Sequence, residues 1–430
     1  MPPLELPGPL VDAILEGRCV AFVGAGFSAT VIPAWTDLLE NLASHPRLGQ
    51  DARGKLSELI ASGEQMSFEA AAQLLVQQLG TDGFSAALAK LLAAPECNDE
   101  QRRRIDHLLG IPFRGILTTN FDGLLEGSLP GRDSYRGLLR PMGSGWYQDR
   151  YWHGEGPPVV KLHGCVCKDP SSIVLTRRDY RERLYMGSAY ATFLRTVFAT
   201  NTLLFLGCSF SDPYLNELRS EVLAMLEQRA SDEPWAYALA ADKPVAQVEF
   251  LRSHEGVEVL SYAHDDPPNH GAFDDFLARL YRCTNPQYHL GRLLSGQRLL
   301  WLDPNPNSTE DGIELLRHSA RLAAGGFHLT EVTDVTGAMA ELGGKSPGPP
   351  YGLVISHWGQ GGGDESNAER LLGEMRRHNV HVPVIVFASG SHADENKQRA
   401  LRAGAMAYCY HWSSLFRRIG DAFDHGLHAG

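Results

Sequence analysis

Residues Cys19-Val20-Ala21-Phe22-Val23 run without a polar interruption into Gly24-Ala25-Gly26-Phe27-Ser28-Ala29. A short strand that is apolar at every position, and not at alternate ones, is buried on both faces, which is the condition of a parallel strand covered by helices. Four further runs share this signature: Gly115 to Thr118, Val159 to Leu162, Leu203 to Leu206 and Trp235 to Leu239. Helical patterns separate them, so this part of the chain reads as an α/β structure built on one parallel sheet.

The stretch between the first two strands is too long for a single crossover helix. Helices are expected at Phe68 to Leu79, Phe84 to Leu92 and Asp99 to Leu109, which makes residues 36–110 a helical insertion. A second pattern begins near Gly296, where strand-like runs at Arg298 to Leu302, Phe327 to Glu331, Tyr351 to Ile355, Val382 to Phe387 and Ala405 to Tyr410 alternate with helical ones. Five successive β-α units make a small doubly wound domain. The expected organisation is a Rossmann-like domain over residues 1–285, a linker over 286–295 and a flavodoxin-like (βα)5 domain over 296–430. A length of 430 residues accommodates domains of this size, each with its own core.

Charge and cysteine usage exclude several classes. With 39 basic against 51 acidic residues the formal net charge is -12, which gives no broad footprint for nucleic acid or an anionic membrane. The one short basic run, Arg102-Arg103-Arg104, reads as a solvated helix face. No segment reaches the roughly 18 uninterrupted apolar residues of a membrane span. Pro2, Pro3, Glu5 and Pro7 do not read as a signal peptide, so a cytoplasmic protein is expected. The 7 cysteines are scattered as reduced thiols are, and only Cys165 and Cys167 are neighbours. No second pair follows them, so a four-thiolate zinc site is incomplete and no metal is expected.

Four polar segments fall where strands are expected to end: Gly24 to Ala29, Thr118 to Asp122, His163-Gly164 and Gly207-Cys208-Ser209. Ligands of open parallel sheets bind beyond the carboxyl ends of the strands, so the four segments converge on one pocket. The spacing of Gly24 and Gly26 lets backbone approach a pyrophosphate and leaves amides and a following helix N-terminus to receive its charge. No ribose-binding acidic residue sits on a second strand about 20 residues later, which disfavours ordinary hydride transfer. Structural readings stand beside these. His163 can be a turn histidine, Asn120 and Asp122 can cap a helix, Asp212 can cap one that begins at Pro213, and Cys165, Cys167 and Cys208 can fill a core.

Taken in this order, the segments resemble the sirtuin-like NAD-binding domain, and its NAD-hydrolase branch in bacterial antiphage defence more than its protein deacylases. The resemblance spans about residues 10–285. Gly24 to Ser28 is similar to the family's glycine turn, and Thr118 to Asp122 to its Asn-x-Asp segment. His163-Gly164 is similar to its catalytic histidine motif, and Gly207 to Ser209 to its ribose-contacting Gly-x-Ser segment. The departures point away from deacylation. Pro33-Ala34-Trp35-Thr36 stands where deacylases usually carry Pro-x-Phe-Arg, Thr119 stands where they usually carry Gln, and their two zinc cysteine pairs are reduced to Cys165 and Cys167.

The resemblance implies an NAD+ glycohydrolase that uses NAD+ as substrate and no metal, releasing ADP-ribose or a cyclised form of it. Such a reaction needs a stabilised oxocarbenium-like transition state and a water molecule. It implies His163 as the base on a ribose hydroxyl or water, a role suited to an imidazole. Asn120 would orient the water and ribose, and Asp122 would accept from the nicotinamide carboxamide. Ser28 and Ser209 would contact phosphate or ribose, with Gly24, Ala25, Gly26 and Gly207 lining the dinucleotide. A sirtuin-type deacylase or ADP-ribosyltransferase, and a non-catalytic nucleotide-binding or scaffold protein, remain alternatives. Residues 296–430 resemble a phosphoacceptor receiver that keeps Asp303 but has Ser356-His357 where the phosphorylated aspartate belongs and Tyr410-His411 near the usual lysine. Without a carboxylate nucleophile there is no aspartyl phosphate to form, so a regulatory or assembly domain is implied. That domain is expected to hold the enzyme in a homo-oligomer, bind a nucleotide signal or dock a phage-derived or companion protein, because uncontrolled NAD+ loss is toxic and the resemblance implies a gate.

Overall fold

The apolar runs of the first part become strands β1 (Cys19–Val23), β2 (Gly115–Thr118), β3 (Val159–Lys161), β4 (Thr202–Leu206) and β5 (Ala236–Ala241). A sixth, β6 (Val257–Tyr262), lies at the sheet edge, where its burial alternates and no continuous apolar run marks it. These elements belong to a computed structural model that describes residues 4–33, 35–63, 65–92, 97–139, 156–182, 188–208, 213–226, 234–263, 270–305, 309–345, 348–359, 366–388 and 393–424. The chain divides into two units between Thr284 and Asn285.

In the first unit the sheet order is β3-β2-β1-β4-β5-β6, with every pairing parallel. This is the doubly wound order in which the winding reverses between β1 and β4, opening a crevice beyond the strand ends. Val23 is level with Thr118 on one side and Leu206 on the other, and Thr118 is level with Lys161. The register therefore delivers the glycine turn, Asn120, His163 and Gly207 to the same edge. Successive residues of β1 face opposite cores, as the pleat requires. Cys19, Ala21 and Val23 pack with Leu277 and Leu280 of helix Gly271–Thr284, and Val20 and Phe22 with Leu194 and Val197 of helix Ser188–Thr200.

Between β1 and β2 lie helices Trp35–Ala43, Gln50–Ala61, Gln65–Leu92 and Asp99–Gly110. The long one is broken by the non-helical Gly80, which separates the two helices expected there. Leu39, Leu56, Leu75 and Leu88 give this insertion a core of its own, joined by Val166 and Leu175 from the loop after His163.

The second unit contains β7 (Arg298–Leu302), β8 (His328–Val332), β9 (Leu353–His357), β10 (Val384–Phe387) and β11 (Ala407–Cys409). They form a parallel sheet in the order β11-β10-β9-β7-β8, the flavodoxin-like arrangement. The expected linker is corrected: Pro286–Leu294 is a helix whose Leu290 and Leu294 join Leu299 and Phe416 in the core of this unit. Pro286 reads as a breaker in sequence but sits in the first turn, where its missing N–H costs nothing. Asn285 caps that turn by accepting from the Tyr288 amide at 2.8 Å.

At the strand ends of this unit both Asp303 carboxylate oxygens are engaged, one by the Asn305 amide at 2.8 Å and the other by the Thr309 hydroxyl at 3.1 Å. The buried Ser356 places a hydroxyl one residue before the end of β9. The glycine-rich loop from Gly359 lies mostly outside the described residues. No helix among the described residues is long and apolar enough to cross a membrane.

Candidate functional site

A cavity of about 470 Å³ opens at the carboxyl edge of the first sheet, lined by the glycine turn, Asn120, Asp122, His163 and Gly207 among others. After β1 the chain makes one 3-10 turn, Ala25–Phe27, and no α-helix follows directly. The Gly24 amide donates to Leu206 O at 2.9 Å, Gly26 to Gly207 O at 2.9 Å, Phe27 to Gly24 O at 3.1 Å and Ser28 to Ala25 O at 3.0 Å. This corrects the expectation that a helix N-terminus with open amides follows β1: these four amides are spent on the protein. The cause is the segment after β4, which crosses directly over the turn. Gly207 has φ +66, and a Cβ on it would lie 2.2 Å from the Phe27 nitrogen. A Cβ on Gly24 would lie 2.6 Å from Gly207 O. Glycine is thus demanded on both sides of the crossing.

Asn120 is buried and held from three directions. Its amide donates to the Thr118 hydroxyl at 3.0 Å, and that hydroxyl donates to Val23 O at 2.9 Å. Its side-chain Nδ2 donates to Gly24 O at 3.1 Å and Ser28 Oγ at 3.2 Å. Its Oδ1 has no hydrogen bond among the described residues. Asp122 accepts from the Leu124 amide at 2.9 Å, and burial raises its carboxyl above the ordinary value. Neither residue caps a helix, since the next one begins at Arg132.

His163 is buried to 6% exposure and lines the cavity with its ring edge-on to Tyr180, centroids 5.2 Å apart. The Val174 amide donates to its carbonyl at 2.9 Å, and the Val166 amide donates to Phe121 O at 2.9 Å, tying the histidine loop to the asparagine loop. Ser209 and Asp212 lie outside the described residues. Cys208 lines the cavity too, but its Sγ bonds Phe22 O at 3.4 Å and burial pushes its thiol up to about 12, which removes it as a nucleophile. Cys165 is buried and Cys167 exposed. No group of three or more His, Cys, Asp or Glu able to hold a metal occurs among the described residues.

Two supporting residues carry signals that sequence reasoning passed over. Lys161, fully buried at the end of β3, donates from Nζ to Asp122 O and to Leu125 O, the latter at 3.2 Å. Its signal is a lysine inside an otherwise apolar strand, which must find partners or not be buried. The other is Arg104. The reading of Arg102-Arg103-Arg104 as a solvated face holds for Arg102 and Arg103 but not for Arg104, which is buried. Its Nε and a terminal nitrogen bind Asp274 in a fork at 2.6 and 2.8 Å, and the other terminal nitrogen donates to Phe27 O at 3.1 Å. A helix has only one face in solvent, and Arg104 falls on the face turned to the glycine turn.

Comparison with known proteins adds a second line of observation. Residues 114–260 match the model of the SIR2-like domain family. The SIR2-like region runs from just before β2 into β6 and so contains Asn120, Asp122, His163 and Gly207. Over 224 residues, 50% of this chain and 42% of the relative, the sequence is 29% identical to the NAD(+) hydrolase ThsA of Enterococcus faecium. It is 26% identical over 225 residues to the NAD(+) hydrolase ThsA of Bacillus cereus, again 50% of this chain and 42% of the relative. The chain spans less than half the length of these two relatives. Among solved structures, the phosphorylated cyanobacterial phytochrome response regulator RcpA aligns at 14% identity and a TM-score of 0.25, over 32% of this chain and 97% of that one. That likeness is too slight to bear on function.

Proposed function

We propose that the first unit is a cytoplasmic NAD+ glycohydrolase that cleaves the nicotinamide-ribose bond, giving nicotinamide and ADP-ribose or its cyclic form, as a regulated antiphage effector. The observation that carries the reading is that the Asn120 amide is fastened to the glycine turn through Gly24 O and Ser28 Oγ inside the cavity that His163 also lines. The names of the two relatives, at 29% and 26% identity, point to the same chemistry.

In this reading the leaving nicotinamide takes both electrons of the C–N bond and departs neutral, so no general acid is required. Positive charge develops on the ribose, and rigidly placed dipoles stabilise it at no reorganisation cost. Asn120 Oδ1 accepts from the attacking water and aligns it with the ribose. His163 takes the proton that the water or a ribose hydroxyl gives up. Asp122 receives the carboxamide of nicotinamide, and Ser28 and Ser209 contact ribose or phosphate. Gly24, Ala25, Gly26 and Gly207 form the surface against which the dinucleotide lies. No metal takes part.

The second unit acts in regulation or assembly and not as a phosphate receiver, because Ser356 offers no carboxylate and Asp303 is already bonded. A homo-oligomer triggered by a phage-derived or companion protein fits this division of labour. The test is chromatography of NAD+ incubated with the protein, with and without an acyl-lysine peptide, in water enriched in oxygen-18. A glycohydrolase releases nicotinamide without peptide and labels ADP-ribose at the anomeric carbon; release that requires peptide identifies a deacylase and refutes the reading.

A further inference from the structure

Away from Asn120 and His163 the cavity continues across the sheet edge to the ends of β5 and β6, where Ala241, Lys243, Tyr262 and His270 line it. Three basic side chains other than histidine line the cavity: Arg104, Arg219 and Lys243. Arg104 is held by Asp274 at 2.6 Å, and Arg219 pairs with Glu255 through one terminal nitrogen at 2.9 Å. Lys243 is half-buried and has neither a hydrogen bond nor an ion pair among the described residues. A cavity-lining ammonium that no carboxylate takes up among the described residues is available to an anionic ligand.

The backbone holds Lys243 in place. Asp242 before it adopts φ 45, a left-handed conformation that non-glycine residues rarely take, and its amide donates to Tyr262 O at 2.8 Å. Pro244 after it disfavours helical backbone at Lys243 and stands just before helix Val245–Glu255. A second consideration is independent of this loop: the amides of Gly24, Gly26, Phe27 and Ser28 are already bonded, so the glycine turn offers few amides to a dinucleotide's negative charge. In the order β1-β4-β5 the end of β5 lies two strand spacings from the glycine turn, about 10 Å.

We infer that Lys243 is a phosphate-binding residue of this cavity and takes a phosphate of the nucleotide substrate. The inference rests on the NAD+ reading of the same cavity. A nucleotide can present that phosphate in two ways, as the pyrophosphate common to NAD+ and NADP+ or as the 2'-phosphate on the adenosine ribose of NADP+ alone.

The test uses the full chain with Lys243→Ala, Lys243→Met and Lys243→Arg. Binding of ADP-ribose and of 2'-phospho-ADP-ribose is measured by calorimetry, and KM and kcat are measured for NAD+ and NADP+. Removing one charge-assisted contact lowers affinity about 10-fold, so the Ala and Met variants raise Kd and KM by that factor while kcat holds. The Arg variant restores most of the loss. Equal losses with both ligands assign Lys243 to the pyrophosphate, and a loss confined to the 2'-phosphorylated ligand assigns it to the ribose phosphate. Unchanged affinity for both ligands in Lys243→Met overturns the inference, as does failure of the wild type to bind either. Binding that depends on Lys243 in a protein that never cleaves NAD+ leaves the inference standing and removes the hydrolase reading.

Discussion

Arg104→Ala removes the fork to Asp274, the hydrogen bond to Phe27 O and the contact of the guanidinium with the Phe273 ring, 5.1 Å to its centroid. The Arg104 side chain is 1% exposed, but Asp274 is 27% exposed and Glu100, its third carboxylate contact, 49%. Water reaching Asp274 screens the fork, so its two bonds together contribute about 2 kcal/mol, less than a sealed pair. Glu100 adds nothing measurable at that exposure. The abandoned Phe27 carbonyl costs about 1 kcal/mol, and the ring contact about 0.5–1 kcal/mol. The expected loss is about 4 kcal/mol, within the range for removing one partner of a buried pair. Native-state hydrogen exchange in peptides spanning β1 and the glycine turn reads this loss without interference from the second unit. Asp274→Asn completes a double-mutant cycle with an expected coupling of about 1–3 kcal/mol. A cost below about 1 kcal/mol with additive single effects would refute the clamp and return Arg104 to an ordinary helix position.

Three further outcomes follow from the geometry. Burial raises the Asp122 carboxyl above the ordinary carboxylate range, so the folded chain binds that proton more tightly than the unfolded one. The resulting stability is complete below the unfolded pKa and is lost as pH rises through the native one. Asp122→Asn therefore gains on the wild type in melting temperature as pH rises above about 4, and a gap that moves the other way contradicts the assignment. Gly207→Ala costs about 3 kcal/mol or more because of φ +66 and the approach to Phe27, whereas Gly137→Ala, on an open helix surface, stays within about 1 kcal/mol of neutral in the same urea titration. Mass-spectrometric thiol labelling at about pH 8 should modify the exposed Cys167 and Cys283 well before Cys208 and Cys19, whose thiols burial raises.

The strands buried on both faces are legible in the sequence because every residue of β1, β2 and β3 is buried, which leaves runs that are apolar except at Thr118 and Lys161. The edge strand β6 escapes because half of its residues meet solvent and Glu258 and Ser261 interrupt the run. The helix Pro286–Leu294 is misread for a different reason: proline signals both a break and a first turn, and only the Asn285 cap and the packing of Leu290 distinguish them. In the site, the positions of Asn120, Asp122 and His163 follow from their place just beyond apolar strands. The spent amides of the glycine turn do not, because they depend on Gly207, 180 residues away in the chain from Phe27 and brought there by the pairing of β1 with β4. Arg104 is hidden among two exposed neighbours of the same type, and its partner Asp274 lies 170 residues later. Contacts of that range leave no local pattern in sequence.

The central claim is that Asn120 and His163 act on one N-glycosidic bond at the edge of the first sheet. The most direct measurement is the time course of NAD+ loss and nicotinamide appearance for wild type, Asn120→Ala and His163→Ala, each followed alone and in every assembly state separated by size-exclusion chromatography. Turnover by the wild type is expected in at least one state, with a loss of about 100-fold or more in both variants while their folded stability and ADP-ribose binding persist. Full turnover by both variants in the state where the wild type is active would contradict it.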